Sequence, residues 1–277
     1  MPKIIKRERL VPNIHLLQVQ APEIAKRCKP GQFVIVMPDE KGERIPLTIA
    51  DWDEKEGTVT SVVLVVGTST HKLAHLESGD EVPVFVGPLG KPSEIDRFGT
   101  VVCAGGCFGI GAIYPIARAL KKAGNKVITL IDVKANYLLY WEDKFEDVSD
   151  NLFISARDSY YDCKDFVPQV LKDIIKTEKV IDRVISIGCT YLMYTCAEAT
   201  RPQGIRTVVA LNPIMVDGTG MCGACRVTVG GKTKFACVDG PDFDGHLVDW
   251  EELFKRRKSY FEDEIESLCS WERKNFP

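Results

Sequence analysis

The first hundred residues carry short apolar runs rich in Val, Ile and Thr: "IIKRERLV", "IHLLQVQAP", "GQFVIVMP", "IPLTIADW", "TVTSVVLVV" and "EVPVFVGPLG". Polar, glycine-containing breaks ("KPGQ", "EKGE", "ESGD") divide them, a pattern that predicts an antiparallel barrel or sandwich over residues 1–98. After Gly99 the pattern changes. "TVVCAGG" leads into "GAIYPIARALKKAG", followed by "KVITLID", "NLFISAR", the helical "KDFVPQVLKDIIKTE", "RVISIG" and "RTVVAL". Continuous apolar strands alternating with amphipathic helices predict a parallel sheet covered on both faces over 99–211, the architecture of a nucleotide domain. From Asn212 the periodicity gives way to small polar residues, and 212–246 reads as a loop-built region. Helical spacing resumes in 247–277, with Trp250, Phe254, Phe261, Ile265 and Leu268 along one face. That stripe is expected to pack on the core, with docking to a partner subunit as the alternative. The expected class is α+β multidomain: an antiparallel β-barrel, an α/β parallel-sheet nucleotide domain, a loop region and a C-terminal helix.

A net charge of −3 over 277 residues, with no basic block, argues against a general binder of nucleic acid or anionic membrane and leaves room only for small patches. "VVCAGGCFGIGAIYPIARAL" is long enough to span a bilayer, but its clustered glycines, Pro115 and Arg118 suit a buried strand, turn and helix better. The opening "MPKIIKRERLVPNIHLL" lacks a sustained apolar stretch and a small-residue cleavage site, so a soluble, cytoplasmic chain is expected. In a reducing compartment ten cysteines are not a disulfide framework. Cys28, Cys163 and Cys269 stand alone and read as packed or surface thiols, whereas Cys103, Cys107, Cys189 and Cys196 lie near apolar strands or glycine turns.

The remaining three, Cys222, Cys225 and Cys237, share the glycine-rich neighbourhood that opens "MVDGTGMCGACRV". With Asp217 they form D-x4-C-x2-C-x11-C, the spacing of a plant-type [2Fe-2S] loop with aspartate in the leading position. Gly218, Gly220 and Gly223 would let the backbone curl and aim amides inward. A zinc knuckle with His246 as fourth ligand, and a metal-free loop, are the competing readings.

Three further segments suggest phosphate chemistry. In "RIPLTIAD", Arg44, Pro46 and Thr48 project to one side of a strand, offering a guanidinium to a phosphate and a hydroxyl to a ring nitrogen, or forming an ordinary barrel strand. "VVGTST" places Gly67 and the hydroxyls of Thr68, Ser69 and Thr70 at a strand-to-helix turn that suits a diphosphate or a plain helix cap. "CAGGCFGIGAIYPIARAL" sets Gly105, Gly106, Gly109 and Gly111 between strand and helix, which fits either a dinucleotide or tight helix packing; it is not G-x-G-x-x-G. Asp132, after "KVITLI", disfavours a 2′-phosphate while Lys134 accepts one, so the preference between NADH and NADPH stays open.

"RIPLTIAD", "GTST", "GPLG", "AGGCFGIGAIYPIA" and the terminal cysteine loop occur in the order seen in the ferredoxin-NADP reductase-like superfamily. The whole chain most resembles the small (alpha) subunits of NADH-dependent reduced ferredoxin:NADP oxidoreductase, also described as sulfide dehydrogenase beta subunits. It is also similar to electron transfer subunits of dihydroorotate dehydrogenase. The resemblance implies an FAD-binding barrel, an NAD(H)-binding domain and a [2Fe-2S] region, in an oxidoreductase subunit that passes electrons to a larger iron-sulfur flavoprotein partner and through it to ferredoxin. Under it Arg44 faces the FAD diphosphate, and Pro46, Leu47 and Thr48 line the isoalloxazine, with Thr48 nearest the reactive nitrogen. Gly67, Thr68 and Ser69 take the diphosphate, and Gly105, Gly106, Gly109 and Gly111 the nicotinamide dinucleotide. "GCTYLM" departs from the family's G-P-x-x-M-M, so that Cys189 borders the nicotinamide pocket with an open role. Asp217 stands where the dihydroorotate dehydrogenase subunits have cysteine and favours the transhydrogenase-like branch. The alternatives are a dihydroorotate dehydrogenase electron transfer subunit and a zinc-containing, non-enzymatic binding module.

Overall fold

The structure, a computed structural model, describes residues 1–156 and 166–275. Its first part contains β1 (Ile4–Val11), β2 (Ile14–Gln20), the one-turn α1 (Pro22–Ala25), β3 (Phe33–Met37), β4 (Ile45–Asp53), β5 (Thr58–Leu64), α2 (Thr68–His75) and β6 (Val84–Leu89). The six strands form an antiparallel sheet in the order β1-β2-β5-β4-β3-β6. It curls into a barrel. A bridge between Lys3 and Glu81, with the Ile4 amide donating to the Asp80 carbonyl at 2.9 Å, brings the two ends together. The interior is aliphatic, with Leu17, Val34, Val36, Leu47, Ile49 and Val63 all buried.

The second part contains β7 (Thr100–Gly106), α3 (Gly109–Lys122), β8 (Lys126–Val133), α4 (Glu142–Val148), β9 (Asn151–Ala156), α5 (Phe166–Thr177), β10 (Arg183–Ile187), α6 (Thr190–Thr200) and β11 (Thr207–Ala210). These strands run parallel, which agrees with their unbroken apolar runs: every residue of β10 is buried, and so are Val101 to Gly106 of β7. The helix expected from Lys164 begins, among the described residues, at Phe166; Cys163, Lys164 and Asp165 lie outside them.

The rest comprises a hairpin of β12 (Arg226–Val229) and β13 (Lys232–Phe235), then α7 (Ala236–Asp239), β14 (Asp242–Asp244), α8 (Trp250–Arg257) and α9 (Phe261–Asn275). Two features differ from the sequence expectation. Strands form in the aperiodic stretch: β12 and β13 pair as a hairpin, and β14 pairs antiparallel with β11 at the edge of the parallel sheet. At three residues β14 is too short to show a period, and its hydrogen-bonding partner defines it instead. The tail is also two helices, divided at Lys258–Tyr260. Trp250 is buried and Phe254 packs against the core, but Phe261 and Ile265 are 58% and 47% exposed, so the single core-packing stripe does not extend into α9. No helix among the described residues is long and apolar enough to cross a membrane.

The barrel and the parallel sheet meet where α3 lies on β4 and β5. Gly111 makes this approach possible: a Cβ there would lie 2.5 Å from Val62 Cγ2, a separation no real contact tolerates. Beside it Arg118 donates to Asp51 at 2.8 Å and lies over the Tyr114 ring at 5.1 Å. Gly111→Ala is therefore expected to destabilise the fold by about 1–3 kcal/mol, and Val62→Ala in the same chain to restore part of the loss, measured by thermal unfolding.

At the β14 edge the Asp242 Oδ1 is buried with no hydrogen-bond partner among the described residues. Burial raises this carboxyl from 3.8 to about 6, offset in part by Ser93 and Arg183. A raised carboxylate pKa means that the unfolded chain releases the proton first, so stability is greatest below pH 4 for this group and is lost as pH rises through about 6. Asp242→Asn is expected to raise stability at pH 7 by about 2–3 kcal/mol and to match the parent near pH 4, read from unfolding at both pH values.

Candidate functional site

Alternation along β4 separates two faces. Leu47 and Ile49, 8% and 1% exposed, enter the barrel interior. Pro46 and Thr48 face the other way, opposite Ile35 and Phe33 of β3 in the strand register. Residues directly opposite on paired strands share a face, so Pro46, Thr48, Phe33 and Ile35 form one surface. Arg44 is exposed just before β4 begins. Since the Leu47 side chain is committed to the barrel core, this residue can offer a ligand only its backbone.

The Gly67-Thr68-Ser69 turn opens α2, with Gly67 in extended backbone at the cap position. Thr70 performs the capping: its Oγ1 accepts from the Val66 and Gly67 amides, each at 3.0 Å. Thr68 Oγ1 is 2.9 Å from Ser267 Oγ, and Ser69 donates to the Glu43 carboxylate at 3.2 Å. The Ser69 hydroxyl is thus already seated on a carboxylate, an oxyanion as a phosphate group is.

Gly105 and Gly106 end β7, and Gly109 and Gly111 open α3. Packing explains much of this glycine content. A Cβ on Gly109 would meet the Ile187 carbonyl oxygen at 2.0 Å, and the Gly111 amide donates to Tyr140 Oη at 3.1 Å. Tyr140 in turn donates to the Cys107 carbonyl at 2.8 Å, and its burial pushes the phenol pKa upward, so it stays a donor. Cys107 occupies the left-handed region at φ 56°. Because Gly105 pairs with Ile187 in register, Cys107 and Cys189 follow the ends of adjacent parallel strands. Cys189 is exposed and caps α6, its sulfur accepting from the Leu192 amide at 3.4 Å. Asp132, buried at the end of β8, accepts from Ser155 at 3.4 Å, whereas Lys134 is exposed.

In the cysteine loop, Asp217 Oδ1 accepts from the Thr219 amide at 2.7 Å and Oδ2 from the Cys222 amide at 2.8 Å. These bonds, that of Thr219 foremost, hold its carboxyl below the usual carboxylate range. Cys225 and Cys237 are each 1% exposed with sulfurs 3.1 Å apart, while Cys222 is exposed. Burial, followed by the neighbouring Cys225 sulfur, pushes the Cys237 thiol up to about 12. Gly218 seats the loop: at φ 75° it takes a conformation side chains resist, and a Cβ there would lie 2.6 Å from Leu89 Cδ1 and 2.9 Å from Ile35 Cγ1. Among the described residues no three His, Cys, Asp or Glu side chains converge on one metal-ion position. His246 is turned instead to Thr200 Oγ1 at 3.0 Å, which leaves the zinc reading without its fourth ligand. An ionised oxygen donor and three sulfurs spread over the loop fit a two-iron cluster better than a single ion.

Residues 212–249 match the iron-sulfur cluster binding domain of dihydroorotate dehydrogenase B. A Thermotoga maritima protein described as a homolog of the dihydroorotate dehydrogenase B (NAD(+)) electron transfer subunit is 44% identical over 95% of this chain and 92% of its own length. The chain belongs to the family of these electron transfer subunits. A probable electron transfer subunit from Methanopyrus kandleri is 31% identical over 80% of the chain and 81% of its own length. Among solved structures, one of the NADH-dependent reduced ferredoxin-NADP oxidoreductase, described for insights into flavin-based electron bifurcation, superimposes with a TM-score of 0.91 at 43% identity, covering 98% of both chains. A ferredoxin NADP+ reductase from Neisseria gonorrhoeae shares the fold, with a TM-score of 0.59 at 17% identity over 73% of this chain and 90% of its own. Members of the electron transfer subunit family are parts of oxidoreductases, and the fold is that of the ferredoxin-NADP reductase-like superfamily.

Glu43 and Tyr140 border the candidate site and were not singled out in the sequence, because they act across long loops, on Ser69 and on the glycine segment. In the metal-free chain an alkylating reagent is expected to modify Cys222 at least about tenfold faster than Cys225 or Cys237, since thiol reactivity follows exposure and thiolate character. Peptide mass spectrometry after a timed reaction measures the order.

Proposed function

We propose that this chain is the electron-transfer subunit of an NADH-dependent reduced ferredoxin-NADP oxidoreductase, holding one FAD and one [2Fe-2S] cluster beside a larger iron-sulfur flavoprotein. The observation that carries the reading is the shared face of β3 and β4. Pro46 and Thr48 lie opposite Ile35 and Phe33, and the cysteine loop is seated on Ile35 through Gly218. Flavin-type residues and cluster-type ligands thus lie on the same side of one strand pair.

When bound, flavin links two-electron hydride chemistry to one-electron steps, and an iron-sulfur centre carries single electrons. The chain's own residues bind and orient. Arg44 pairs with the FAD diphosphate, and Gly67, Thr68 and Ser69 give it amides and hydroxyls, with Glu43 leaving Ser69 to make room. Pro46 and Thr48 face the flavin ring, Thr48 as the hydrogen-bonding group at its reactive nitrogen, and Leu47 contributes backbone. Gly105, Gly106 and Gly109 admit the pyrophosphate of NADH to the end of β7, where Gly111 keeps α3 against the barrel. Cys189 borders the nicotinamide at the start of α6. Asp217, Cys222, Cys225 and Cys237 hold the cluster, and the exposed Val216, Met221 and Val238 around Cys222 give the larger subunit an apolar surface, with ferredoxin reached only through that partner.

The family's printed descriptions favour a second reading, the electron transfer subunit of dihydroorotate dehydrogenase. Purification without oxygen together with the native companion separates the two: an iron-sulfur flavoprotein supports the first, a flavin-containing dihydroorotate dehydrogenase the second. Reconstitution of the chain with iron, sulfide and FAD is expected to give stoichiometric flavin and two irons per chain; retention of neither rejects both. Asp217→Cys is expected to keep the iron but shift the midpoint potential, because a thiolate donates more strongly than a carboxylate. An unchanged potential in a redox titration followed by EPR shows that Asp217 is not a ligand.

A further inference from the structure

The C-terminal helix is attached in an unusual way. No residue of α9 is buried, and its apolar Phe261 and Ile265 face solvent. Its root is firm: α8 inserts Trp250 and Leu253 into the core that carries the cysteine loop, and Arg257 donates to the Asn212 carbonyl at 2.5 Å. From the turn at Lys258–Tyr260, α9 runs to α2 and lies along it.

The contact is specific. On α2, Thr68, His71 and His75 share one face, spaced by three and four residues; on α9, Ser267 and Trp271 do the same. Thr68 Oγ1 and Ser267 Oγ are 2.9 Å apart. The Trp271 ring centroid lies 5.0 Å from that of His71 and 5.5 Å from that of His75. Thr68 belongs to the turn assigned above to the flavin diphosphate, so α9 grips the helix whose first turn forms that site.

We propose that α9 is a clasp on the flavin site: Ser267 and Trp271 fix α2 and its Gly67-Thr68-Ser69 turn in the position that takes the diphosphate, so that flavin retention depends on the last fifteen-residue helix. This rests on the flavin reading of that turn. Ser267 acts by orienting the Thr68 hydroxyl and Trp271 by packing on the two imidazoles. Both are positioning residues, remote from any reacting atom.

The test uses full-length chains reconstituted without oxygen, with the FAD dissociation constant measured by flavin fluorescence and the visible absorption of the cluster followed in the same samples. Trp271→Ala is expected to weaken FAD binding about tenfold, as loss of an aromatic contact does. Ser267→Ala is expected to weaken it about fivefold through one hydrogen bond. Trp271→Phe should restore binding to within about twofold of the parent. Phe261→Ala, on the solvent face of α9, should leave it unchanged, and the cluster spectrum should be the same in all four. Truncation after Tyr260 should lose at least as much as Trp271→Ala. The clasp is overturned if the parent binds FAD and both Trp271→Ala and the truncation bind it equally well, or if Phe261→Ala weakens it as much as Trp271→Ala does. A parent chain that takes up no flavin defeats the reading of the turn itself, and the clasp with it.

Discussion

One hydrophobic core joins parts of the chain that sequence separates by two hundred residues. Phe33 and Ile35 come from the barrel, Met193, Ala197 and Val209 from the parallel sheet and its helix, Cys225 and Cys237 from the loop, and Trp250 and Leu253 from α8. Burial of apolar surface contributes on the order of 25 cal/mol per Å², so these side chains are held together far more strongly than surface ion pairs could manage. The consequence is positional. Cys225 and Cys237 share a core with Phe33 and Ile35 of β3, and Gly218 seats their loop against Ile35.

The glycine segments show how packing and ligand approach use the same residue type. Gly111 and Gly109 are required by close contacts with Val62 and with the Ile187 carbonyl, whether or not a dinucleotide lies nearby. Tight packing brings α3 onto the end of β7, and a close backbone approach of this kind is also what the proposed pyrophosphate site requires. The packing and the dinucleotide readings of this motif are therefore complementary. Tyr140 supports both by tying the Cys107 carbonyl to the Gly111 amide from a segment thirty residues downstream.

Local patterning made the two sheets legible. The Val, Ile and Thr runs of the barrel became β1 to β6, and the unbroken apolar runs after Gly99 became the parallel strands, because burial on one face or two leaves a direct imprint on composition. The spacing of Asp217, Cys222, Cys225 and Cys237 marked the loop as a candidate site. What escaped was set by tertiary partners: β14 exists through its pairing with β11, Glu43 reaches Ser69 across a strand, and His246 turns to Thr200 and away from the cysteines. The division between α8 and α9 was hidden for a related reason. Apolar residues continue at helical spacing across Lys258–Tyr260, but only the first helix has a core to enter.

The aspartate at the head of the loop shapes its backbone through both carboxylate oxygens. Its two oxygens accept the Thr219 and Cys222 amides at 2.7 and 2.8 Å, and so close the turn across Gly218 and Gly220. A thiolate offers one weak acceptor where the carboxylate offers two strong ones. Charge-assisted bonds of this kind hold the turn shaped, with Cys222 presented outward and Cys225 and Cys237 inward, using the chain's own atoms. With the turn already shaped by these bonds, the loop needs no bound group to hold Cys222 outward and Cys225 and Cys237 inward.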